Sequence, residues 1–248
     1  MAGASLGAAH RRRLRELWRS AGWPCHDGLE LDLLAAGALS RHWDDQNRET
    51  LRVTETGLEL LAATRQRNQA AFNAHEALVA EVAMQMQRAG RLVWRGLSLR
   101  APLTAADGST AWCMAMPDVF SIRHTTVEDY TEPVAHEIKV SRADLLSDLR
   151  RPAKGAAYLA LSSQCWYVLR RGIADAGEIP AAYGVLWADD TTLALERAAP
   201  RRAMRLSFAV WMALARASVE PSGDETQDLL GGAAGPDRPA AGAGTEAA

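Results

Sequence analysis

The chain of 248 residues carries a net charge of −2, with 48% hydrophobic and 23% charged residues, which is typical of a soluble globular protein of one or two domains. It contains no run of about 18 apolar residues and no apolar signal sequence, so we expect neither a membrane-spanning helix nor secretion. The three cysteines are far apart and form no CxxC pair, which favours a cytoplasmic protein with reduced thiols and no zinc site.

The first predicted region, residues 1–66, contains two helices, a hairpin and a third helix. Apolar residues recur at helical spacing in HRRRLRELWRSAG, which predicts the first helix. Asp27 and Gly37 are suited to begin and to end the second. Two short extended runs then flank a polar turn at residues 44–49, and these predict the hairpin.

This order of elements resembles the second half of winged-helix domains, in which a recognition helix enters the DNA groove and the hairpin forms the wing. The resemblance covers residues 10–65 and rests on the patterns L-x-x-x-G-x-L and L-x-V-T-x-x-G-x-x-L-L, separated by the polar hairpin. Winged helices have three helices before the wing, whereas only two are predicted here. A helical cap that packs on the next domain therefore remains an open alternative.

The second predicted region, residues 67–219, is a mixed α/β domain with the element order α-β-β-β-α-β. Its leading helix ends at Gly90, and RLVWRGLSLRAP predicts the strand that follows. MPDVFSIR and PVAHEIKV predict two further strands, and the helix after them restarts at Pro152. Two short apolar strands, CWYVLR and YGVLWAD, an edge strand in TTLALERAAP and a closing helix complete the region.

The last region, residues 220–248, is predicted to be a disordered tail. It is rich in Gly, Ala and Pro, has no aromatic residue and carries six acids against one arginine. Its charge of −5 leaves +3 for the other 219 residues. Any nucleic-acid surface must therefore be a local basic patch rather than the field of the whole protein.

Lysine is rare in this chain. Only Lys139 and Lys154 are lysines among 28 basic residues, and the others are arginines. Because an ammonium and a guanidinium differ in geometry and in how readily the pKa shifts, this bias favours a specific need for an ammonium at these two positions.

Three charged residues around the second and third predicted strands suggest a site. Alternation along PVAHEIKV places Glu137 and Lys139 on one face and His136 and Ile138 on the other. Asp118 begins the preceding strand, and it lies beside Glu137 if the two strands are neighbours. Two adjacent carboxylates favour a divalent cation such as Mg²⁺, which polarises a phosphodiester, and a neighbouring ammonium stabilises the developing charge.

The residues Pro117-Asp118 and Glu137-Ile138-Lys139 resemble the motif of the PD-(D/E)xK nuclease superfamily. The resemblance covers residues 68–190 and implies a restriction-endonuclease-like mixed sheet flanked by helices. More narrowly, EIKVSRADLLSDLR, CWYVL and EIPAAYGVLWAD are similar to MmcB-type DNA-repair endonucleases. Those nucleases are little more than the core domain, so the N-terminal region is a departure from their pattern.

The resemblance implies a role for each motif residue. Asp118 and Glu137 are expected to bind Mg²⁺ or Mn²⁺ with the backbone carbonyl of Ile138, and Lys139 is expected to be the catalytic ammonium. Many members add an acid from the leading helix as a further metal ligand, and Glu76 is preferred here.

The choice of Glu76 over Glu81 rests on its position nearer the helix start. His75 and His136 share the apolar faces of their elements, so both are predicted to be core histidines.

The segment that follows the third strand contains four residues that are predicted to contact phosphates. They are Ser141, Arg142, Arg150 and Lys154. A solvated helix face whose bases pair with its own acids explains the same pattern equally well. Tyr158, Trp166 and Tyr167 are suited to stack on unpaired bases, and a core position in the apolar strand is preferred for Trp166.

The sequence therefore predicts a metal-dependent DNA endonuclease that acts on duplex or branched DNA in repair, recombination or mobile-element defence. Dimerisation is common in the superfamily, so a homodimer is a further expectation. The alternative is a non-catalytic winged-helix DNA-binding regulator with a relic nuclease fold. A structural or protein-interaction domain is a third reading, and it requires the three charged residues to be coincidental.

Overall fold

The computed structural model describes residues 6–104, 107–189 and 192–221. The chain divides into two compact units, Met1–Ala74 (unit 1) and His75–Ala248 (unit 2). The tail predicted for residues 220–248 lies outside the described residues, except for its first two residues.

Unit 1 contains two helices, a β-hairpin and the first part of a long helix. Its elements are α1 (Ala8–Arg19), α2 (Gly28–Ala35), β1 (Leu39–Trp43), β2 (Glu49–Val53) and the beginning of α3 (Glu55–Arg88). The two strands pair antiparallel. A small apolar core holds these elements together, and its buried members are Leu14, Leu17, Leu33, Ala38, Leu39 and Leu51.

Polar and glycine residues define the turns of unit 1. Asp27 caps α2 by accepting a hydrogen bond of 2.9 Å from the Glu30 backbone N–H, as its position predicted. Gly37 follows α2 with a φ of +71°, the left-handed conformation expected of a helix stop. Gly22 has a φ of +79° and approaches the backbone of Leu51 so closely that a Cβ atom would lie 2.3 Å from its carbonyl oxygen.

Helix α3 is one continuous helix of 34 residues, whereas the sequence predicted two. The intervening run LELLAATRQR contains no Gly or Pro and consists mostly of strong helix formers, so nothing interrupts the helix. The domain boundary predicted after residue 66 consequently falls inside α3. The stop at Gly90, which has a φ of +72°, is confirmed.

Unit 2 is built on a mixed sheet. Its strands are β3 (Arg91–Arg95), β4 (Leu99–Thr104), β5 (Thr110–Ala115), β6 (Val119–Arg123), β7 (Val134–Lys139), β8 (Gln164–Arg170), β9 (Gly184–Ala188) and β10 (Leu193–Arg197). Six strands form the main sheet in the order β10-β9-β8-β7-β6-β3, and β4 pairs with β5 in a separate hairpin. Strands β7, β8 and β9 are parallel, and the other neighbours are antiparallel. The predicted mixed α/β class is confirmed.

The β4–β5 hairpin was not predicted. RLVWRGLSLRAP, expected to form one strand, turns at Gly96, which has a φ of +57°. The Gly96 N–H donates a hydrogen bond of 3.1 Å to the Asp118 carbonyl, and the chain then leaves the main sheet as β4. A strand's partner is set by contacts distant in sequence, and the local pattern does not contain them.

Three further helices pack on the strands of unit 2. They are α4 (Arg142–Leu149), α5 (Pro152–Leu161) and α6 (Phe208–Arg216), and Pro152 restarts the helix as predicted. All six residues of β7 are buried. Ile138 packs with Val79 and Val82 of α3, whereas Ala135 belongs to a second cluster with Tyr158 of α5. Parallel strands buried on both faces are typical of α/β proteins. Within the described ranges, no helix is long and apolar enough to cross a bilayer.

Candidate active site

Asp118 and Glu137 lie side by side at the end of the β6–β7 ladder. The register pairs Val119 with His136, so Asp118 is opposite Glu137. Asp118 Oδ2 accepts a hydrogen bond of 2.7 Å from the Ile138 backbone N–H. The Ile138 N–H lies beyond the last paired residues of β6 and β7, and the Asp118 carboxylate serves as its acceptor. This contact fixes the Asp118 side chain beside β7.

Both lysines of the chain bind the same carboxylate. Lys139 Nζ and Lys154 Nζ lie 2.6 Å and 2.5 Å from Glu137 Oε1. Lys154 also donates to Asp148 Oδ1, and the hydroxyl of Tyr167 donates to Asp148 Oδ2 at 2.8 Å. The meeting of the only two lysines at Glu137 supports the interpretation that an ammonium is needed at both positions.

This face of β7 is closed to solvent. Glu137 and Lys139 point the same way, as the alternation predicted, but only 2% and 5% of their surfaces are exposed. Asp148 is 8% exposed. Buried charges need partners, and each of these three side chains has at least one oppositely charged neighbour.

The charges of the site shift one another's pKa values. Burial and the charge of Asp118 raise the pKa of Glu137, against the effect of the two lysines. Burial alone would lower the pKa of Lys139, but the Glu137 carboxylate raises it above the usual value. For the carboxyl group of Asp118, burial alone would raise the pKa. Hydrogen bonds from His75 and from the Ile138 N–H nevertheless keep the pKa of Asp118 below the usual value.

Helix α3 places His75 and Glu76 at the rim of the site. His75 Nε2 lies 3.5 Å from Asp118 Oδ2, and its Nδ1 lies 3.2 Å from Glu76 Oε1. The contact with Asp118 is the main cause that raises the pKa of His75 to about 8. The prediction of a core histidine is therefore wrong for His75. A cavity of about 390 Å³ opens here, lined by His75, Glu76, Val79, Arg95, Gly96, Asp118 and Glu220.

The two acids considered on α3 differ in their surroundings. Glu76 lines this cavity with Asp118, whereas Glu81 accepts a hydrogen bond of 3.0 Å from Gln85. No three His, Cys, Asp or Glu side chains are grouped to hold a metal ion in the part of the chain that the structure describes. Glu76 as a metal ligand therefore stays a prediction.

The two central carboxylates fit a divalent cation. Glu137 Oε2 is buried and has no hydrogen-bond partner among the described residues. The charge of Asp118 also acts directly on Glu137. Mg²⁺ is commonly bound through only one or two carboxylates, with water completing its shell. Asp118 and Glu137 supply such a donor set, and the Ile138 carbonyl stays a predicted third ligand.

The predicted phosphate contacts have different surroundings. Ser141 caps α4 with its hydroxyl, and Arg142 makes a two-point contact of 3.0 Å and 2.9 Å with Glu178. Arg150 is exposed and has no acidic partner within the described ranges. Lys154 already contacts two buried carboxylates, Glu137 and Asp148, and its phosphate contact stays a prediction.

Several residues of the site were missed or misassigned from the sequence. Asp148 carried no signal beyond its position in the helix after Glu137. Tyr167 was expected to stack on bases, but it is 3% exposed and its hydroxyl binds Asp148. Tyr158 is also buried and donates to the Met116 carbonyl at 2.9 Å. The rarity of lysine was the one sequence signal that could have found this cluster.

His136, on the opposite face of β7, is a core histidine as predicted. It is 2% exposed, and burial lowers its pKa to about 3. Its Nδ1 atom has no hydrogen-bond partner in the described residues.

Comparison with known proteins leaves the site to be interpreted from its own residues. No protein-family model matches the chain, and no curated protein matches it. A solved structure described as a protein of unknown function from Silicibacter pomeroyi is similar over 61% of this chain and 86% of that chain. Its sequence identity is 21% and its TM-score is 0.38, a level of likeness that carries no argument about function.

Proposed function

We propose that this chain is a metal-dependent nuclease of the PD-(D/E)xK type that hydrolyses phosphodiester bonds in DNA. The observation that carries the proposal is the convergence of Asp118, Glu137 and Lys139. Asp118, directly before β6, is opposite Glu137 of the neighbouring strand β7, and a buried ammonium lies 2.6 Å from Glu137 Oε1. This arrangement supports the proposal, because metal-assisted hydrolysis uses carboxylates that hold the metal and a neighbouring cation that stabilises the developing charge.

The order of elements around the site also supports the proposal. Helix α3 is followed by β3, β6, β7, the α4–α5 pair and β8, with the β4–β5 hairpin inserted after β3. Apart from that insertion, the order agrees with α-β-β-β-α-β. In unit 1, two helices, a hairpin and a helix agree with a winged-helix-like module that docks duplex DNA.

Each polar group has a defined role in this proposal. Asp118 and Glu137, with the Ile138 carbonyl and Glu76, would hold Mg²⁺ or Mn²⁺. When bound, the metal supplies polarisation of the phosphoryl oxygen and a bound water of lowered pKa. Lys139 stays protonated because its pKa is raised, so it can stabilise the negative charge that develops on the phosphoryl oxygens.

Lys154, Asp148 and Tyr167 act as positioning residues. Lys154 holds the same Glu137 oxygen as Lys139, and Asp148 holds Lys154. The hydroxyl of Tyr167 in turn fixes Asp148. This chain of contacts orients Glu137 before any substrate binds, which is the preorganisation that a catalytic site needs.

Hydrolysis would use one water molecule for each bond. The water oxygen forms a bond to phosphorus while the bond from phosphorus to the leaving sugar oxygen breaks. One proton leaves the attacking water, and one proton is taken up by the leaving oxygen. The products are a phosphomonoester and a free hydroxyl group.

The test is cleavage of plasmid, branched and single-stranded DNA by the full chain in Mg²⁺, Mn²⁺ or EDTA. We expect metal-dependent cutting, and a loss of at least about 100-fold in Glu137→Gln and in Lys139→Met. Glu81→Gln is the matched control, because Glu81 is an acid of the same helix α3 and accepts a hydrogen bond from Gln85. Glu76→Gln tests whether the fourth predicted ligand contributes.

Two results would oppose the proposal. Tight DNA binding without cutting of any substrate in any metal would favour the non-catalytic regulator. Equal loss of cutting in Glu81→Gln and Glu137→Gln would show that the effect is not specific to the site. Roles in repair, recombination or mobile-element defence, and a homodimer, depend on the substrate and stoichiometry that these assays reveal.

A further inference from the structure

Unit 1 contains a groove between α1 and the first part of α3, which we call the α1–α3 groove. Its volume is about 610 Å³. The lining residues recur at intervals of three and four along both helices, so each helix presents one face. They include Arg15, Trp18 and Arg19 of α1 and Leu58, Leu61 and Arg65 of α3.

The α1–α3 groove is basic. Arg15, Arg19 and Arg65 are all exposed, and its lining includes no carboxylate. None of the three has an acidic partner within 4.0 Å among the residues that the structure describes. An anion that enters the groove therefore meets three uncompensated guanidinium groups, which are suited to phosphate.

The β1–β2 hairpin, the wing of the proposed module, differs in this respect. Arg41 lies 3.2 Å from Glu49, and Arg48 lies 2.7 Å from Asp44. These arginines already have partners within the hairpin, and only Arg52 of β2 has none in the described ranges. The distribution of free positive charge in unit 1 thus favours the α1–α3 groove over the hairpin as the site for an anion.

An aromatic ring accompanies the free arginines. Trp18 is 56% exposed, lies one turn after Arg15 on α1 and directly precedes Arg19. A large indole left in water beside cations is a stacking platform for a base, and stacking needs no particular sequence. Leu58 and Leu61 supply apolar surface under the same groove.

We propose that the α1–α3 groove binds a single-stranded segment of nucleic acid, with phosphates on Arg15, Arg19 and Arg65 and a base stacked on Trp18. A single strand is favoured over a duplex because duplex grooves receive protruding helices or hairpins, whereas this surface is concave. A duplex also keeps its bases stacked and out of reach of Trp18. The inference concerns unit 1 alone and stands whether or not unit 2 cuts DNA.

The test measures binding of the full chain to a fluorescent single-stranded oligo-dT and to a duplex of equal length, in EDTA so that no metal-dependent cleavage occurs. Arg15→Ala/Arg65→Ala should weaken binding to the single strand at least about tenfold. It should also reduce the slope of log affinity against log salt by about 1.4, the contribution of two phosphate contacts. Arg41→Ala/Arg48→Ala, which removes the same charge from the hairpin, should change the affinity less than about threefold.

Trp18 provides a second readout that charge alone does not explain. Trp18→Ala should weaken binding of the single strand by roughly tenfold, and Trp18→Phe, which keeps a ring, should recover part of that loss. Trp43→Ala is the matched control, because Trp43 is equally exposed at 56% but belongs to the hairpin. Circular dichroism of each variant verifies that the fold is retained.

Three outcomes would overturn the inference. Unchanged affinity in the Arg15→Ala/Arg65→Ala variant would remove the groove as a binding site. An equal or larger loss in the Arg41→Ala/Arg48→Ala variant would return the contact to the hairpin. Preferential loss of duplex binding in the groove variant would assign the groove to duplex DNA. Because all of these are binding measurements in EDTA, failure of the proposed nuclease activity leaves them interpretable.

Discussion

The two groups of basic side chains in this protein are built in opposite ways. Lys139 and Lys154 in unit 2 are wholly or largely buried, and both are bound to Glu137. Arg15, Arg19 and Arg65 in unit 1 are exposed and have no acidic partner in the described ranges. The positive charges of the first group are already paired with carboxylates of the protein before any ligand binds, whereas those of the second group are not paired within the described residues.

The difference separates positioning from binding. A buried ion pair has a large desolvation cost and little net gain in stability, but it holds its groups in one geometry, which suits chemistry. An exposed guanidinium without an acidic partner is not fixed in one position. It contributes to binding when it contacts a phosphate of a nucleic acid, because the counterions of that phosphate are released. The burial of a basic group therefore predicts what its removal will change. Four substitutions test this rule.

The largest loss of stability is expected for Lys139→Met. The substitution leaves Glu137 with one buried contact fewer, and removing one partner of a buried pair costs about 3 kcal/mol of unfolding free energy. Urea unfolding followed by circular dichroism measures it. In Lys139→Met, Lys154 is the one ammonium left for the two buried carboxylates Glu137 and Asp148. The double variant Glu137→Gln/Lys139→Met should be more stable than Lys139→Met alone, because Lys154 and Asp148 then remain as a balanced pair. A double variant that is less stable than either single variant would contradict the buried-pair explanation.

Lys154→Met should have a smaller effect, about 1 to 2 kcal/mol in the same measurement. The Lys154 side chain is 28% exposed, against 6% for Lys139, and Glu137 keeps its contact with Lys139. Asp148 loses its cation but keeps the hydroxyl of Tyr167. A loss equal to that of Lys139→Met would show that burial does not set the order.

His75 should contribute stability that depends on pH. Its pKa is raised from 6.5 to about 8, mainly by Asp118, so the protonated form is favoured in the folded state. The contribution is fully present below the unfolded pKa and is lost as the pH rises through about 8. Because the side chain is partly exposed, we expect His75→Asn to cost at most about 1 kcal/mol at pH 6 and close to nothing at pH 9. Urea unfolding at the two pH values measures the difference, and a cost that does not change with pH would contradict the ion pair.

The smallest effect is expected for Arg15→Met, within about 0.5 kcal/mol of the unmodified chain, because an exposed side chain without a partner contributes little to stability. Its effect should appear in the affinity for single-stranded DNA instead. A loss of more than about 1 kcal/mol in urea unfolding would show that Arg15 has a structural role and would weaken the contrast between the two groups.

Much of the fold could be predicted because its signals are local. Asp27 was recognised as the residue that begins α2, and Pro152 as the start of a new helix, because capping and proline geometry depend on adjacent residues only. The continuity of α3 also had a local signal, the unbroken helix formers of residues 58–67, which the prediction of two separate helices overlooked. The β4–β5 hairpin could not be predicted in the same way, because it depends on which segments find partners elsewhere in the chain, and periodicity does not record that.

The candidate site also has a part that could be predicted from local sequence and a part that could not. Alternation along β7 was sufficient to separate Glu137 and Lys139 from His136, because side chains of a strand alternate between its faces. The convergence of Lys154 on Glu137, 17 residues earlier, depends on how α5 packs against the sheet.

The sequence by itself determined the three-residue candidate site and the rarity of lysine. Only the tertiary structure decided that both lysines meet at one carboxylate and that His75 lies beside Asp118. It also decided which arginines of unit 1 have no acidic partner among the residues that the structure describes. The physical reason is that charge type is a property of one residue, whereas compensation of a charge is a property of the space around it.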